Sequence, residues 1–246
     1  MYYKPSIFQA CQELIAAEST RHGGISRGAY RSLNLGLNTK DTPENVFANQ
    51  NLFFQSLNID SSRVVLNHQV HGAEILKASE PGKHQGYDAL ISNQANVFLT
   101  ITVADCTPIL LYDPVQRAFA AVHAGWKGTR AFIVKKTVQA LATHFACQTQ
   151  NILAYIGTCI DECSFEVDAD VADQFEAPFK RWDAQKGKFF IDLKRANQSQ
   201  LLDMGVPTSN IEISPRSTVL NNENYFSYRK DKGLTGRMMV VIGIEK

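Results

Sequence analysis

Residues Val97–Trp126, VFLTITVADCTPILLYDPVQRAFAAVHAGW, decide the reading of this chain. Val97 to Val103 is an apolar run of strand length that ends at Asp105-Cys106. Ile109 to Tyr112 and Ala118 to Val122 are two more, joined at Asp113-Pro114, a turn signal between apolar runs. The last of them delivers His123, two residues before Gly125. Ala89-Leu90-Ile91, upstream, is a further strand. Several of these pairs read as hairpins, which favours mixed sheets over a purely parallel one.

Upstream, Val64-Val65-Leu66 is a short strand leading to Asn67-His68-Gln69-Val70-His71-Gly72. Asp41-Thr42-Pro43-Glu44 starts a helix that runs to about Leu57. Thr42 can cap it, Pro43 takes the first helical position, and acids occupy the first turn. Ser19 to Asn38, rich in Gly, Ser, Arg and Asn, is a loop. Downstream, Ile133, Val134, Val138, Leu141 and Ala142 give Thr129 to Phe145 helical spacing. Ile152 to Ile156 is a strand, and Asp168 to Phe179 and Lys194 to Met204 are helices. Ile211 to Ile213 and Met238 to Ile244 are strands. Helices and strands interleave with no linker, so the expectation is an α+β fold with mixed sheets and one domain over residues 1–246.

Composition narrows the function classes. Of 246 residues, 44% are hydrophobic and 20% charged, an ordinary globular balance. A net charge of +1, from 25 basic and 24 acidic side chains, offers neither a nucleic-acid surface nor a polybasic membrane patch. The first residues lack the charged and apolar regions of a signal peptide. The apolar stretch Val97 to Tyr112 contains Asp105 and Pro108 and is too short to span a bilayer. Five scattered cysteines, Cys11, Cys106, Cys147, Cys159 and Cys163, do not make a disulfide framework. A reducing cytoplasm is the expected compartment.

Three stretches each place a metal ligand beside small, tight-turning residues: Asn67 to Gly72, Val103 to Pro108, and Ala121 to Trp126. Singly, a histidine at a strand end is a hydrogen-bonded structural residue, and a cysteine in an apolar run is a small buried hydrophobe. Together, His71, Cys106 and His123 make a His2Cys set at strand ends, where functional residues gather. Three ligands with a fourth position open is the pattern of a catalytic zinc, whereas a structural zinc closes all four. Spacings of 35 and 17 residues match no zinc-finger pattern. His68 reads as structural. Cys159 and Cys163 read as buried thiols and not as a second metal pair.

The chain also resembles the YfiH family, called the laccase-domain, purine nucleoside phosphorylase-like or, formerly, polyphenol oxidase family. The motifs that carry the resemblance run in order: Thr20 to Gly28, Ser32 to Gly36, Gln69 to Gly72, Asp88 to Ile91, Ala104 to Cys106, His123 to Gly128, Phe226 to Arg229 and Thr235 to Arg237. The resemblance implies a four-layer α/β/β/α sandwich, a usually monomeric enzyme, and zinc held by His71, Cys106 and His123. It implies phosphorolysis of adenosine, inosine, guanosine and methylthioadenosine, and deamination of adenosine. Bacterial relatives are also linked to correcting peptidoglycan precursors. Two departures stand out: Gly157-Thr158 where the family usually has Gly-Pro, and Ser217-Thr218 where it often has Cys-Thr.

From these motifs come the expected substrate residues. Arg21, Arg229 and Arg237 offer paired donors for phosphate, with Lys127 as a point charge. Ser26, Asn34 and Gln69 are candidates for ribose or base. Asp105 is expected to orient a ligand imidazole or to accept a proton. Zinc would activate water for attack on C6 of adenine. Three alternatives remain. A cysteine hydrolase would use Cys106 with His71 or His123. A multicopper oxidase is excluded, since it needs more imidazoles than the six in this chain provide for both its centres, and copper at the His71-Cys106-His123 triad itself is left as the lesser alternative to zinc. A non-enzymatic binding module would tolerate loss of the triad.

Overall fold

The computed structural model describes residues 1–245. In chain order its strands and helices are β1 (Tyr2–Tyr3), β2 (Leu14–Ser19), α1 (Pro43–Ser56), β3 (Val64–His68), β4 (Ile75–Lys77), β5 (Gly82–Gln85), β6 (Ala89–Ser92), β7 (Phe98–Val103), β8 (Thr107–Asp113) and β9 (Ala118–Ala124). There follow α2 (Trp126–Arg130), α3 (Ile133–Phe145), β10 (Leu153–Ile156), β11 (Glu166–Val167), α4 (Ala169–Ala172), β12 (Lys180–Asp183), β13 (Lys188–Ile191), α5 (Leu193–Asp203), β14 (Ile211–Ile213) and β15 (Met238–Ile244).

The first sheet runs β1-β2-β15-β7-β3-β5 and the second β14-β10-β8-β9-β6-β4. Both mix orientations: β3 lies parallel to β5 and β7, while β15 is antiparallel to β2 and β7. The expected hairpin is present, with β8 paired antiparallel to β9 from Thr107↔Ala124 to Asp113↔Ala118.

Side-chain alternation sorts these strands into layers. On β9, Phe119 and Ala121 enter the core between the sheets, while Ala118, Ala120 and Val122 face α3 with its Val134, Val138 and Leu141. On β7, Leu99, Ile101 and Val103 enter the same inter-sheet core. Phe98 instead packs outward with Phe53 and Phe54 of α1. The result is α1, first sheet, second sheet, then α3 and α5: an α/β/β/α sandwich of mixed sheets. Strands covered on both faces have no polar side, which is why Val97–Trp126 reads as continuous apolar runs.

Three local expectations differ from the structure. The helix over 129–145 is two helices, broken where Phe132 takes φ 58°. The helix over 168–179 is one turn, α4, followed by a 3-10 turn at Ala177–Phe179 holding Pro178. The chain then forms a small third sheet, β11-β13-β12, that no sequence pattern announced. Thr42 sits at the start of α1, but its hydroxyl accepts from Asn45 Nδ2 rather than capping a backbone amide.

Candidate metal centre

The chain passes from the first sheet to the second between β7 and β8, through Ala104-Asp105-Cys106. Asp105 takes φ 83°, a left-handed conformation that Asp tolerates better than most residues. This turn puts Cys106 at the mouth between the sheets. His123 arrives from β9 in the register that faces the inter-sheet core, and is only 3% exposed. His71 comes from the loop after β3, itself left-handed at φ 60°, and is exposed.

One ligand atom from each of His71, Cys106 and His123 lies within 4.8 Å of the others. Ligands on a tetrahedral zinc sit about 3.3–3.8 Å apart, from bonds of about 2.0–2.3 Å, so a small contraction would close the set. Gly125 makes this approach possible. A Cβ there would meet Cys106 Sγ at 3.0 Å and His71 Cδ2 at 3.4 Å. A thiolate and two imidazoles are a donor set suited to zinc, and a blue-copper site uses the same three with a weak axial ligand.

Asp88, fully buried just before β6, supports two of the three ligands. His123 Nδ1 lies 2.7 Å from its Oδ1. The amides of Val70, His71 and Gly72 donate to the same carboxylate at 3.3, 2.9 and 2.6 Å. With Nδ1 so engaged, Nε2 is the nitrogen His123 offers to a metal. Asp88 was missed in the sequence as a site residue. Its signals were a charged residue immediately before the wholly apolar Ala89-Leu90-Ile91 and its place at the head of one of the family motifs.

The electrostatics suit a ligand set. Burial pushes the Cys106 thiol up, but His123 and then His71 pull harder, and the net value falls to about 6. Burial alone would depress His123; the Cys106 thiolate and Asp88 overcome it and raise the imidazole to about 9. Burial likewise raises Asp88, yet His123 and the loop amides hold it below the usual carboxylate range.

A cleft of about 460 Å³ opens over the triad, within the range of roughly 300–1,000 Å³ typical of small-molecule sites. Of the expected residues, Gln69, Asp105, Arg229 and Arg237 line it. Arg21, Ser26, Asn34 and Lys127 do not. Arg21 donates to the carbonyls of Arg31 and Asn222 and stacks on Phe226. Ser26 donates to Asp41, as does Asn34, whose carbonyl accepts the amides of Gly36 and Arg237. Lys127 lies over Trp126. Arg21, Ser26 and Asn34 hold glycine-rich loops in shape, which explains why they sit inside the motifs without reaching the cleft.

Asp105 does not orient an imidazole. Its carboxylate accepts from the Thr218 hydroxyl and from the Arg229 amide, and the orienting role falls to Asp88. Ser217 lies outside the cleft lining and donates to Asp161. Cys159 is buried as expected, but Cys163 is exposed, beside Asp161.

The chain belongs to the multi-copper polyphenol oxidoreductase laccase family, whose model matches residues 15–245. It is similar to the purine nucleoside phosphorylase YlmD of Geobacillus stearothermophilus, with 35% identity over 93% of this chain and 89% of that protein. The purine nucleoside phosphorylase YfiH of Escherichia coli is 38% identical over 91% of this chain and 90% of that one. The crystal structure of the Geobacillus YlmD matches with a TM-score of 0.92 at 34% identity, over 98% of this chain and 94% of that chain. The Bacillus licheniformis hypothetical protein YfiH matches at 0.91 with 30% identity, over 95% and 94%. No helix among the described residues is long and apolar enough to cross a membrane.

Proposed function

We propose that the protein is a zinc-dependent purine nucleoside enzyme. It cleaves adenosine, inosine, guanosine and methylthioadenosine with phosphate, and deaminates adenosine to inosine. Its partners are these small molecules alone, and it acts as a monomer in the cytoplasm. The observation that carries this reading is the three-donor set of His71, Cys106 and His123 at the floor of a cleft that also holds unpaired arginine donors. A zinc ion there would supply Lewis acidity to a reacting group in the open fourth position. The other four histidines, His22, His68, His84 and His144, lie outside this donor set, which favours a single metal over the multi-centre copper chemistry in the family's description.

Arg237 is the principal phosphate ligand. Its Nη1 donates to the carbonyls of Thr235 and Gly236, which fixes the guanidinium and leaves Nε and Nη2 for an anion. It has no ion-pair partner among the described residues. Arg229 Nη1 donates to the carbonyls of Ser164 and Glu166, so Arg229 holds the cleft wall while adding charge. Gln69, locked by its two-way bond to the Thr102 backbone, is a fixed amide for base or ribose. In phosphorolysis a phosphate oxygen bonds to C1′ as the C1′–N9 bond breaks, the electron pair leaves with the purine, and a proton reaches that purine. Asp105 is the carboxyl group assigned to carry it: burial raises its pKa even though Thr218 and the Arg229 amide pull it down.

The depressed Cys106 thiol beside His123 favours one second reading, a metal-free cysteine hydrolase acting on a peptide-type bond such as one in a peptidoglycan precursor. Product analysis with adenosine decides between them. The expected outcome is adenine and ribose 1-phosphate when phosphate is present, inosine when it is absent, and loss of both in chelator with recovery in zinc. No product above blank at high protein concentration would refute the proposal. Activity that survives chelator and dies on alkylation would install the hydrolase.

A further inference from the structure

Asp88 spends both carboxylate oxygens on the metal-ligand framework. Oδ1 accepts from His123 Nδ1 at 2.7 Å and from the His71 amide at 2.9 Å. Oδ2 accepts from the Gly72 amide at 2.6 Å and from the Val70 amide at 3.3 Å. Three consecutive amides converging on one anion around a left-handed residue form a backbone nest. The residue at the centre of that nest, His71, is itself a ligand. Asp88 is further tied down by its own backbone, whose amide donates to Glu74 O and whose carbonyl accepts from His123 N at 2.7 Å.

We propose that Asp88 is the positioning residue of the metal centre, setting the loop of His71 and the ring of His123 together so that the donor set exists before metal arrives. This rests on the reading that the triad binds a metal, and extends it to a residue that touches neither metal nor substrate. The carboxylate carries two distinct tasks. It compensates the left-handed backbone at His71 with three amide bonds. It also fixes the proton of His123 on Nδ1, leaving Nε2 as the ligand atom.

The isosteric change Asp88→Asn shows why a carboxylate is required. Every contact to either oxygen comes from a donor, so an amide NH2 placed on either side faces one. With NH2 at the Oδ1 position, His123 must move its proton to Nε2 and lose its ligand atom, or turn away. With NH2 at the Oδ2 position, it meets the Gly72 amide head on, and the His71 loop shifts. One ligand is disturbed in both orientations.

The test is zinc affinity, measured on metal-free protein by competition with a chromophoric chelator, alongside the thermal midpoint of the same samples. Asp88→Asn is expected to bind zinc roughly 10–100-fold more weakly while remaining folded, the range seen when such supporting partners are lost. A folded Asp88→Asn within twofold of wild type overturns the proposal. Wild-type protein that binds no zinc overturns the metal reading itself, so the two failures are distinct. Should the variant not fold, the wild type still decides. Its zinc-loaded form should show a His123 Nδ1–H proton and a metal-bound Nε2 by nitrogen-15 NMR, and its metal-free form a slowly exchanging Gly72 amide. Metal on Nδ1, or a freely exchanging Gly72 amide, contradicts the proposal.

Discussion

The rings of His71 and His123 meet edge to face, with centroids 4.8 Å apart and 83° between their planes. One ring hangs from the loop after β3 in the first sheet, and the other rises from β9 in the second. Imidazoles at right angles can aim nitrogens at a common point without stacking, and Cys106, on the link between the sheets, completes the set. The candidate centre thus belongs to neither sheet alone. It exists because the sandwich brings two sheet ends together.

The thiol of Cys106 gives the first prediction. In metal-free protein its value of about 6 makes it mostly thiolate at pH 7. Iodoacetamide labelling of Cys106 should rise with pH through a midpoint near 6, and zinc should suppress it. Cys163, whose thiol the Asp161 carboxylate raises, should lag behind in the same samples. Peptide mass spectrometry across pH reads both sites. A Cys106 midpoint at the ordinary 9.0 would contradict the ligand-set electrostatics.

Arg237 gives the second. Arg237→Met keeps the stem that packs on Gly36 and removes the guanidinium. Loss of a charged hydrogen bond of about 1.5–3 kcal/mol should raise the KM for phosphate roughly 10–100-fold. Deamination of adenosine, which uses no phosphate, should change far less. Equal loss of both activities would remove Arg237 from the phosphate site.

Much of this architecture is legible in the chain. The runs around Val97–Trp126 read as strands because both faces of each are buried, and the triad reads as a set because each member abuts glycine, proline or a small residue. What escaped has physical reasons. β12 is Lys180-Arg181-Trp182-Asp183, an edge strand with too many charges to alternate. The turn that follows depends on Asp183 accepting the amides of Gln185 and Lys186 and on Gly187 at φ 60°. Asp88 escaped because its work is done by bonds to amides and to His123, and no spacing in the sequence encodes those. Arg21, Ser26 and Asn34 lie outside the cleft lining for the converse reason: a motif places residues together in the chain, while the fold aims their side chains at the loop itself.

The break between α2 and α3 is a third prediction. Phe132 is left-handed at φ 58° and 54% exposed, so it bears the backbone cost with little burial in return. A left-handed L-residue costs about 1–2 kcal/mol, and glycine loses part of the gain to chain entropy. Phe132→Gly should therefore stabilise the fold by roughly 0.5–1 kcal/mol in urea unfolding. A destabilised variant would mean that the exposed ring makes a contact worth more than the strain.

Glu18 supplies a prediction on pH. Burial raises its pKa, against the lowering effect of the Tyr155 hydroxyl and of Thr158, whose amide, absent from a proline, donates to the carboxyl. Folding therefore favours the protonated form. That contribution is complete below the free value of 4.5 and is lost as pH rises through the higher native value. Glu18→Gln stays neutral throughout, so its urea midpoint relative to wild type should improve as pH rises from below 4.5 through the raised native value. A relative midpoint that worsens as pH rises would contradict a raised Glu18.

The most direct test of the account is the metal content of protein purified without added metal, for wild type and for Cys106→Ser. Wild-type protein is expected to carry about one zinc and little copper per chain, as one open three-ligand site requires, and the variant much less zinc. Stoichiometric copper with little zinc, or zinc content untouched by Cys106→Ser, would contradict it.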